Sequence, residues 1–231
     1  MSTTTSAKQA AGVAAAALVQ DGMILGFGTG TTVVFFLDAL AERIRLEKIK
    51  VIGVPTSEAT AKHATELGIP ISTLDEHPEL DLVVDGADEV DLQFRLVKGG
   101  GGALLREKIV ASCGKRVVII VGEGKMVDKL GTTFLLPVEV VPFGVQVTRT
   151  KVEAAGCQAF LRTLEDGDAF HTDNGNLVLD CKFRYGIDDP VQTHQSLSQI
   201  PGVVEVGIFL DLCHAVIEGC ADGTSITHQK S

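Results

Sequence analysis

A short apolar run that ends in glycines, MILGFGTG at Met23–Gly30, decides the fold of the first half of the chain. It predicts a buried strand that turns into a helix from about Thr32 to Leu46. Similar strands at KVIGVP, LDLVVDGADEVD and RVVIIVGEG are separated by helices at SEATAKHATELG and REKIVASCG. Continuous apolar strands between helices indicate a parallel sheet that is covered on both faces. We therefore expect a doubly wound, Rossmann-like α/β domain.

The pattern changes after Gly131. Strands are predicted at LLPVEVVP and CQAFLRTLE, in the hairpin AFHTDNGNLVLDCKF and at GVVEVGIFL, with helices at GVQVTRTKVEAAG and DPVQTHQSLSQI. This βαββαβ order predicts a smaller ferredoxin-like α+β domain. The strand HAVIEG comes too late for that unit, so we expect the chain to return to the first sheet. The predicted domains are 1–131 plus 207–231, which is α/β and catalytic, and 132–206, which is ferredoxin-like.

Charge and composition exclude several classes of protein. The 231 residues carry a formal charge of −10, which argues against a nucleic-acid or anionic-membrane surface. The apolar stretch Ala10–Val19 is too short to span a bilayer and lacks the basic leader of a signal peptide. The five cysteines are odd in number and show no CxxC spacing, so we expect reduced core thiols in a cytoplasmic protein.

The first candidate binding loop is GFGTGTT at Gly26–Thr32. Glycines let backbone amides approach a ligand, and a helix N-terminus favours an anion such as phosphate. Thr29, Thr31 and Thr32 add hydroxyl groups, while Thr31 occupies a position that the dinucleotide fingerprint GxGxxG requires as glycine. The alternative is a tight turn whose threonines merely cap the helix.

The second candidate is the acidic turn DGADEVD, which holds Asp85, Asp88, Glu89 and Asp91. It follows a predicted strand, and ligands of open α/β sheets lie beyond the carboxyl ends of strands. A metal site, carboxylates that act as acid–base groups or bind hydroxyls, and a solvated turn are the three alternatives. The spacing does not fit a calcium loop, so catalysis or sugar binding is favoured over metal. Glu89 and Asp91 are expected to be solvated.

The third candidate is VKGGGGALLREKIV at Val97–Val110, where a lysine and four glycines precede a helix. Helix position would hold Glu107 on a rigid element, and the positive end of the helix favours its ionised form. An ionised, rigidly held carboxylate suits a general base, whereas the alternative is an exposed pair with a nearby lysine. Arg106 and Lys108 are expected to be surface charges. Lys125, near the end of the fourth strand, could neutralise a phosphate or an oxyanion, or be an exposed turn lysine.

Seven segments together resemble one family. In chain order GFGTGTT, VPTS, DGADEVD, KGGGGALLREKIV, DKLG, PVEVVPFG and TDNGN resemble the A type of ribose-5-phosphate isomerase. The resemblance implies interconversion of D-ribose 5-phosphate and D-ribulose 5-phosphate in the pentose phosphate pathway. It also implies that the ferredoxin-like domain is a lid, that the protein is a cytoplasmic homo-oligomer (dimer or tetramer), and that no metal or organic cofactor takes part.

The resemblance also implies roles for individual residues. Glu107 would be the proton acceptor, working through an enediolate, and Lys125 would be a distal substrate-binding lysine. Ring opening would fall to Asp85 or Lys98, between which the sequence does not choose, and Lys8 aligns less securely with a lysine near the phosphate. The other implied substrate-binding residues are Thr29, Gly30, Thr31, Thr32, Gly86, Ala87, Asp88, Gly99, Gly100 and Gly101.

Two other classes of function remain as alternatives at this point. One is a sensor domain that binds a sugar phosphate without converting it, although no helix-turn-helix is predicted before Met23 or after Gly219. The other is acyl transfer from coenzyme A, with a glutamate as the nucleophile.

Overall fold

The structure is a computed structural model that describes residues 3–230. Two compact units emerge: the first contains the described residues up to Ala87, Arg106–Lys125 and those from Asp211 onward, and the second contains Asp88–Leu105 and Met126–Leu210. The elements follow in this order: α1 (Thr3–Ala16), β1 (Ile24–Phe27), α2 (Thr31–Glu47), β2 (Ile52–Pro55), α3 (Glu58–Glu66), β3 (Leu82–Gly86), β4 (Glu89–Asp91), β5 (Leu96–Val97), α4 (Leu104–Ser112), β6 (Val117–Val121), β7 (Met126–Val127), β8 (Leu136–Val140), α5 (Val145–Glu153), β9 (Gln158–Leu161), β10 (Leu177–Lys182), α6 (Pro190–Ser198), β11 (Val203–Val206), β12 (Ile208–Phe209), β13 (Ala215–Gly219) and β14 (Ser225–Gln229).

The first unit contains a six-stranded sheet in the order β14-β13-β6-β3-β1-β2. Every pair is parallel except β13 with β14, so β14 is an antiparallel edge strand. β13 is the late strand HAVIEG, which returns to this sheet beside β6 as predicted. Among the five parallel strands the order is that of a flavodoxin-like sheet, and the direction of winding reverses between β1 and β3.

Helices cover both faces of this sheet, which confirms the doubly wound prediction. Leu25 and Phe27 of β1 point to one face, where they join a core with α1 and α2 that includes Phe36. Gly26 between them points to the other face, where a Cβ atom would lie only 2.7 Å from Cγ1 of Val110 in α4. Successive strand residues face opposite sides of a sheet, so the packing of α4 against the sheet requires glycine here.

The second unit contains the predicted ferredoxin-like fold. Its four-stranded sheet has the order β11-β8-β10-β9, and all three pairings are antiparallel. The helices α5 and α6 each connect two parallel strands that are separated by a third, which is the split βαβ arrangement. Apolar side chains from both central strands form its core, among them Val138, Val140, Leu177 and Leu179.

A second, smaller sheet in this unit was not predicted. It joins four short strands in the order β12-β5-β4-β7. Leu96–Val97 pairs antiparallel with Ile208–Phe209, and for this reason residues 88–105 belong to the second unit. The division of the chain therefore differs from the predicted one, which placed 88–105 in the α/β domain. No helix within residues 3–230 is long and apolar enough to cross a membrane.

Candidate active site

The carboxyl ends of β1 and β3 meet at the reversal point of the first sheet, and Asp85 joins them. Its carboxylate is buried, and Oδ1 accepts hydrogen bonds from the backbone N–H of Thr29 (3.1 Å) and of Gly86 (2.7 Å). One side chain thus holds both loops in fixed positions. Ligands of such sheets bind at this reversal point, so Asp85 remains a candidate for contact with a ligand.

The close approach of β1 and β3 explains a glycine in the first loop. A Cβ atom on Gly28 would lie 2.0 Å from Oδ1 of Asp85 and 2.5 Å from its Cα. Rotation of the Asp85 side chain would relieve only the first of these contacts, since the second involves backbone. Gly28 is therefore required for packing against Asp85.

Helix α2 begins directly after this loop, and its N-terminus carries the partial positive charge of the helix dipole. Its N-cap residue is Gly30, with φ of 124°, and no side chain caps the first turn. Nζ of Lys8 in α1 donates a hydrogen bond to Oγ1 of Thr31 at 2.8 Å. A lysine and a helix N-terminus thus lie together, which is the arrangement that favours a phosphate group.

The hydroxyl of Thr29 belongs to a buried polar cluster that sequence reasoning missed. Its Oγ1 donates to Ser57 at 2.8 Å and lies 2.7 Å from Oγ1 of Thr56, while Thr60 donates to the carbonyl of Gly28 at 2.9 Å. Ser57 also caps α3 by accepting from the N–H of Thr60. The capping pattern in VPTSEAT was the available signal, but it identified only a helix start. In this structure Thr29 supports the loop through its hydroxyl.

Glu107 lies in the first turn of α4 and is only 4% exposed. This burial is inconsistent with a solvent-facing charge on the helix surface. Its neighbours Arg106 and Lys108 are half-buried, and so is Lys125 in the loop after β6. A buried carboxylate on a helix is held in one position, which is what a general base requires.

The glycine loop belongs to the second unit. Lys98, immediately after β5, is 3% exposed and its Nζ lies 5.5 Å from the centroid of the Phe209 ring. The N–H of Gly100 donates to Oδ2 of Asp88 at 2.8 Å, and a Cβ on Gly100 would lie 2.6 Å from the same carboxylate. Gly99 has φ of +106°, a conformation that favours glycine. Asp88 therefore helps to shape the loop that was predicted to bind substrate.

The prediction that Glu89 and Asp91 are solvated is wrong, because both are fully buried. Asp91 accepts from two backbone N–H groups and from Nε of Arg95 at 2.6 Å. Glu89 accepts from backbone and hydroxyl donors of the loop that follows β7, at Gly131, Thr133 and Phe134. These carboxylates stabilise chain turns: the donors to Asp91 lie two and four residues away in sequence, whereas those to Glu89 lie 42 to 45 residues away.

Grouped by unit, the predicted site residues divide into two sets. The first unit holds Thr29, Gly30, Thr31, Thr32, Asp85, Gly86, Ala87, Glu107 and Lys125, and the second holds Asp88, Lys98, Gly99, Gly100 and Gly101. The structure joins Asp85 to Thr29 and Gly86 in one unit, and Asp88 to Gly100 in the other. Over residues 3–230, no group of three or more His, Cys, Asp or Glu side chains could hold a metal ion.

Comparison with known proteins identifies the family. Residues 52–223 match the family model of ribose 5-phosphate isomerase A (phosphoriboisomerase A). Ribose-5-phosphate isomerase A of Synechococcus sp. (strain JA-3-3Ab) is 48% identical over 96% of this chain and 97% of its own. The solved ribose 5-phosphate isomerase of Plasmodium falciparum has a TM-score of 0.93 and 36% identity, covering 97% of this chain and 98% of its own. A D-ribose-5-phosphate isomerase solved in complex with phospho-erythronic acid has a TM-score of 0.92 and 37% identity, with 96% and 97% covered. The chain therefore belongs to the ribose-5-phosphate isomerase A family.

Proposed function

We propose that the protein interconverts D-ribose 5-phosphate and D-ribulose 5-phosphate, with Glu107 as the general base. Family membership supports the reaction, because relatives that match nearly the whole chain are named for it. The same full-length match speaks against a sensor domain and against a coenzyme A transferase. The observation that carries the role of Glu107 is its burial in the first turn of α4, directly after the glycine loop.

The proposed mechanism moves one proton between neighbouring carbons. After the sugar ring opens, Glu107 takes the proton from C2 of the aldose, and the electron pair of that C–H bond forms an enediolate. Return of the proton to C1, together with transfer of the hydroxyl proton from O2 to O1, gives the ketose, and the reverse sequence gives the aldose. A base on a rigid helix contributes on the order of 10²–10⁴-fold, because it is already positioned for transfer.

The remaining residues would bind the two ends of the substrate. The phosphate would lie at the N-terminus of α2, near Gly30, Thr31, Thr32 and Lys8, where the helix and the lysine both favour an anion. Asp85 and Asp88 would bind sugar hydroxyls. Lys98, Lys125 and the amides of Gly99–Gly101 would stabilise negative charge on the reacting oxygens.

The ligand of one relative fits this chemistry. Phospho-erythronic acid, which that relative binds, carries both a phosphate and a planar carboxylate. An enediolate has the same combination of a phosphate at one end and planar delocalised charge at the other. We further propose that the protein is a cytoplasmic homo-oligomer, either a dimer or a tetramer. Sedimentation velocity would test the oligomeric state directly.

The decisive experiment is Glu107→Gln, which keeps the size of the side chain and removes its basicity. We expect the turnover number to fall at least about 100-fold, the lower limit for a positioned base. Calorimetric affinity for phospho-erythronic acid should change far less, since the phosphate and hydroxyl contacts remain. Glu66→Gln on the exposed face of α3 is the matched control and should retain full activity.

Two further measurements separate the mechanism from its alternatives. In D₂O, proton transfer through an enediolate should introduce deuterium at C1 of the ketose, which NMR detects. Activity that disappears on addition of a chelator would instead support a metal ion at the acidic turn. Turnover near the parental value in Glu107→Gln would exclude Glu107 as the base.

A further inference from the structure

Arg162, the residue after β9, contacts the glycine loop from within the same unit. Its Nη1 donates to the carbonyl oxygens of Gly99 (2.9 Å) and Gly100 (3.0 Å). Its Nε donates to Oδ2 of Asp180 in β10 at 2.9 Å, and Nη2 donates to Oδ1 of the same carboxylate. The guanidinium is therefore held on one side by a two-point ion pair and holds two successive carbonyls on the other.

The surroundings of Arg162 limit its movement further. Its side chain is only 14% exposed, and its guanidinium carbon lies 5.6 Å from the centroid of the Phe170 ring. Phe170 in turn packs against the loop, because a Cβ on Gly102 would lie 2.5 Å from that ring. Arg162 and Phe170 thus form one rigid support beneath the glycine loop.

Holding the two carbonyls determines where the amide N–H groups point. In a trans peptide unit the C=O and the following N–H point in opposite directions. The carbonyl of Gly99 faces Arg162, and accordingly the N–H of Gly100 points away from it, towards Oδ2 of Asp88. The carbonyl of Gly100 also faces Arg162, which directs the N–H of Gly101 to the side of Asp88 as well.

A cation on the carbonyl side also strengthens these donors. Hydrogen bonds to the oxygen of a peptide unit polarise it, and its N–H then becomes a better donor. Arg162 acts in this way on two successive peptide units, and the carbonyl of Gly99 also accepts a hydrogen bond from the N–H of Gly102 at 2.9 Å. A buried ion pair contributes little net stability by itself. We therefore assign the pair of Arg162 and Asp180 a role in orienting the loop, not in stabilising the fold.

We propose that Arg162, aimed by Asp180, is a positioning residue that fixes two peptide units of the glycine loop, so that the N–H of Gly100 holds Asp88 and the N–H of Gly101 faces the negative charge of the enediolate. The inference rests on the proposed function, in which the glycine loop and Asp88 bind the reacting end of the sugar. Arg162 does not itself touch substrate in this scheme. Loss of Arg162 should therefore slow formation of the enediolate more than it weakens binding of ribose 5-phosphate, whose reacting end is uncharged.

The test compares Arg162→Gln, Arg162→Lys and Asp180→Asn in the full-length protein. Arg149→Gln is the matched control, since it removes an ion pair from α5 of the same unit. Turnover and KM are measured with ribose 5-phosphate. Calorimetry gives the affinities for phospho-erythronic acid, which has a planar anionic end, and for ribitol 5-phosphate, which has none.

We expect Arg162→Gln to lower turnover by about 100-fold, as a displacement of about 1 Å in an active site can do. Affinity for phospho-erythronic acid should fall by a similar factor, while affinity for ribitol 5-phosphate stays within about threefold, because only charge-stabilising contacts are lost. Arg162→Lys keeps the positive charge but lacks the planar guanidinium that bonds at several points. It should therefore recover part of the turnover and affinity lost in Arg162→Gln. Arg149→Gln should behave as the parent.

Two results would overturn the proposal. One is turnover within about twofold of the parent in Arg162→Gln, because a lost positioning contact should cost far more. The other is an equal loss of affinity for both ligands, whatever the turnover, which would indicate a purely structural role. If Arg162→Gln does not fold, Asp180→Asn decides by the same two criteria. A parent without isomerase activity would refute the proposed function, and the calorimetric comparison would still decide on Arg162.

Discussion

Substitution of Gly28 by alanine tests the close approach of β1 and β3 at the proposed site. The new methyl group would lie 2.0 Å from Oδ1 of Asp85 and 2.5 Å from its Cα. Real Cβ atoms essentially never approach other heavy atoms within 3.0 Å, so the carboxylate must move by at least 1 Å and the two strands must separate. The bonds from Asp85 to the N–H groups of Thr29 and Gly86 are the contacts at risk.

The expected loss of stability follows from these contacts. Overpacking a tight site costs about 1–3 kcal/mol, and each lost hydrogen bond to a charged group about 1.5–3 kcal/mol. With one bond lost, the free energy of unfolding should fall by about 2.5–6 kcal/mol, against a total of about 5–15 kcal/mol for a typical domain. Activity should fall at least about tenfold, since Asp85 would leave its position.

Gly122→Ala is the matched control, because it also follows a parallel strand and has room for a methyl group. The nearest atoms to its added Cβ would be Cγ of Lys8 at 3.4 Å and Cβ of Ala7 at 4.0 Å. Urea unfolding should be followed by far-ultraviolet circular dichroism, since the chain has no tryptophan and one tyrosine. If the free energy of unfolding of Gly28→Ala lies within about 0.5 kcal/mol of that of Gly122→Ala, the reasoning from close packing is refuted.

Three further substitutions test buried polar groups. Glu89→Gln should lower the free energy of unfolding by about 1.5–3 kcal/mol, because an amide nitrogen would face N–H donors that now bind a carboxylate. An unchanged midpoint of urea unfolding would contradict this. Thr29→Val should cost about 1–3 kcal/mol in the same assay, since it removes one hydrogen-bond partner from each of the buried hydroxyls of Thr56 and Ser57. The pKa of Asp81 is lowered from its ordinary value of 3.8, first by the hydrogen bond from the N–H of Ile24 and then by Lys115. A lowered pKa in the folded state stabilises the protein above the unfolded value, so Asp81→Asn should be less stable than the parent at pH 7. That difference should begin to shrink as the pH falls below about 3.8 and should disappear once the pH is below the lowered pKa of the folded state; a difference that persists there would contradict the assignment.

Local patterns in the sequence were sufficient for much of the architecture. Apolar runs followed by glycines predicted the parallel strands, and the βαββαβ order predicted the ferredoxin-like unit, because strand and helix periodicities are set within about ten residues. The segment KGGGGALLREKIV identified Glu107 and Lys98 as candidates, and the structure buries both. Residue type and position beside the glycines made them candidates, and the resemblance to the family supplied the role of Glu107 as proton acceptor.

Contacts between distant parts of the chain were decided only by the tertiary structure. Glu89 meets its donors 42 to 45 residues away, and Arg162 meets the carbonyls of Gly99 and Gly100 more than 60 residues away. Neither residue can be identified from its local sequence: Glu89 was predicted to be a solvated acid, and Arg162 lies within a predicted strand. The pairing of Leu96–Val97 with Ile208–Phe209 is equally remote, and it assigns the glycine loop to the second unit. Periodicity records which face of an element is buried, but the partner that satisfies a buried charge is determined by packing between elements.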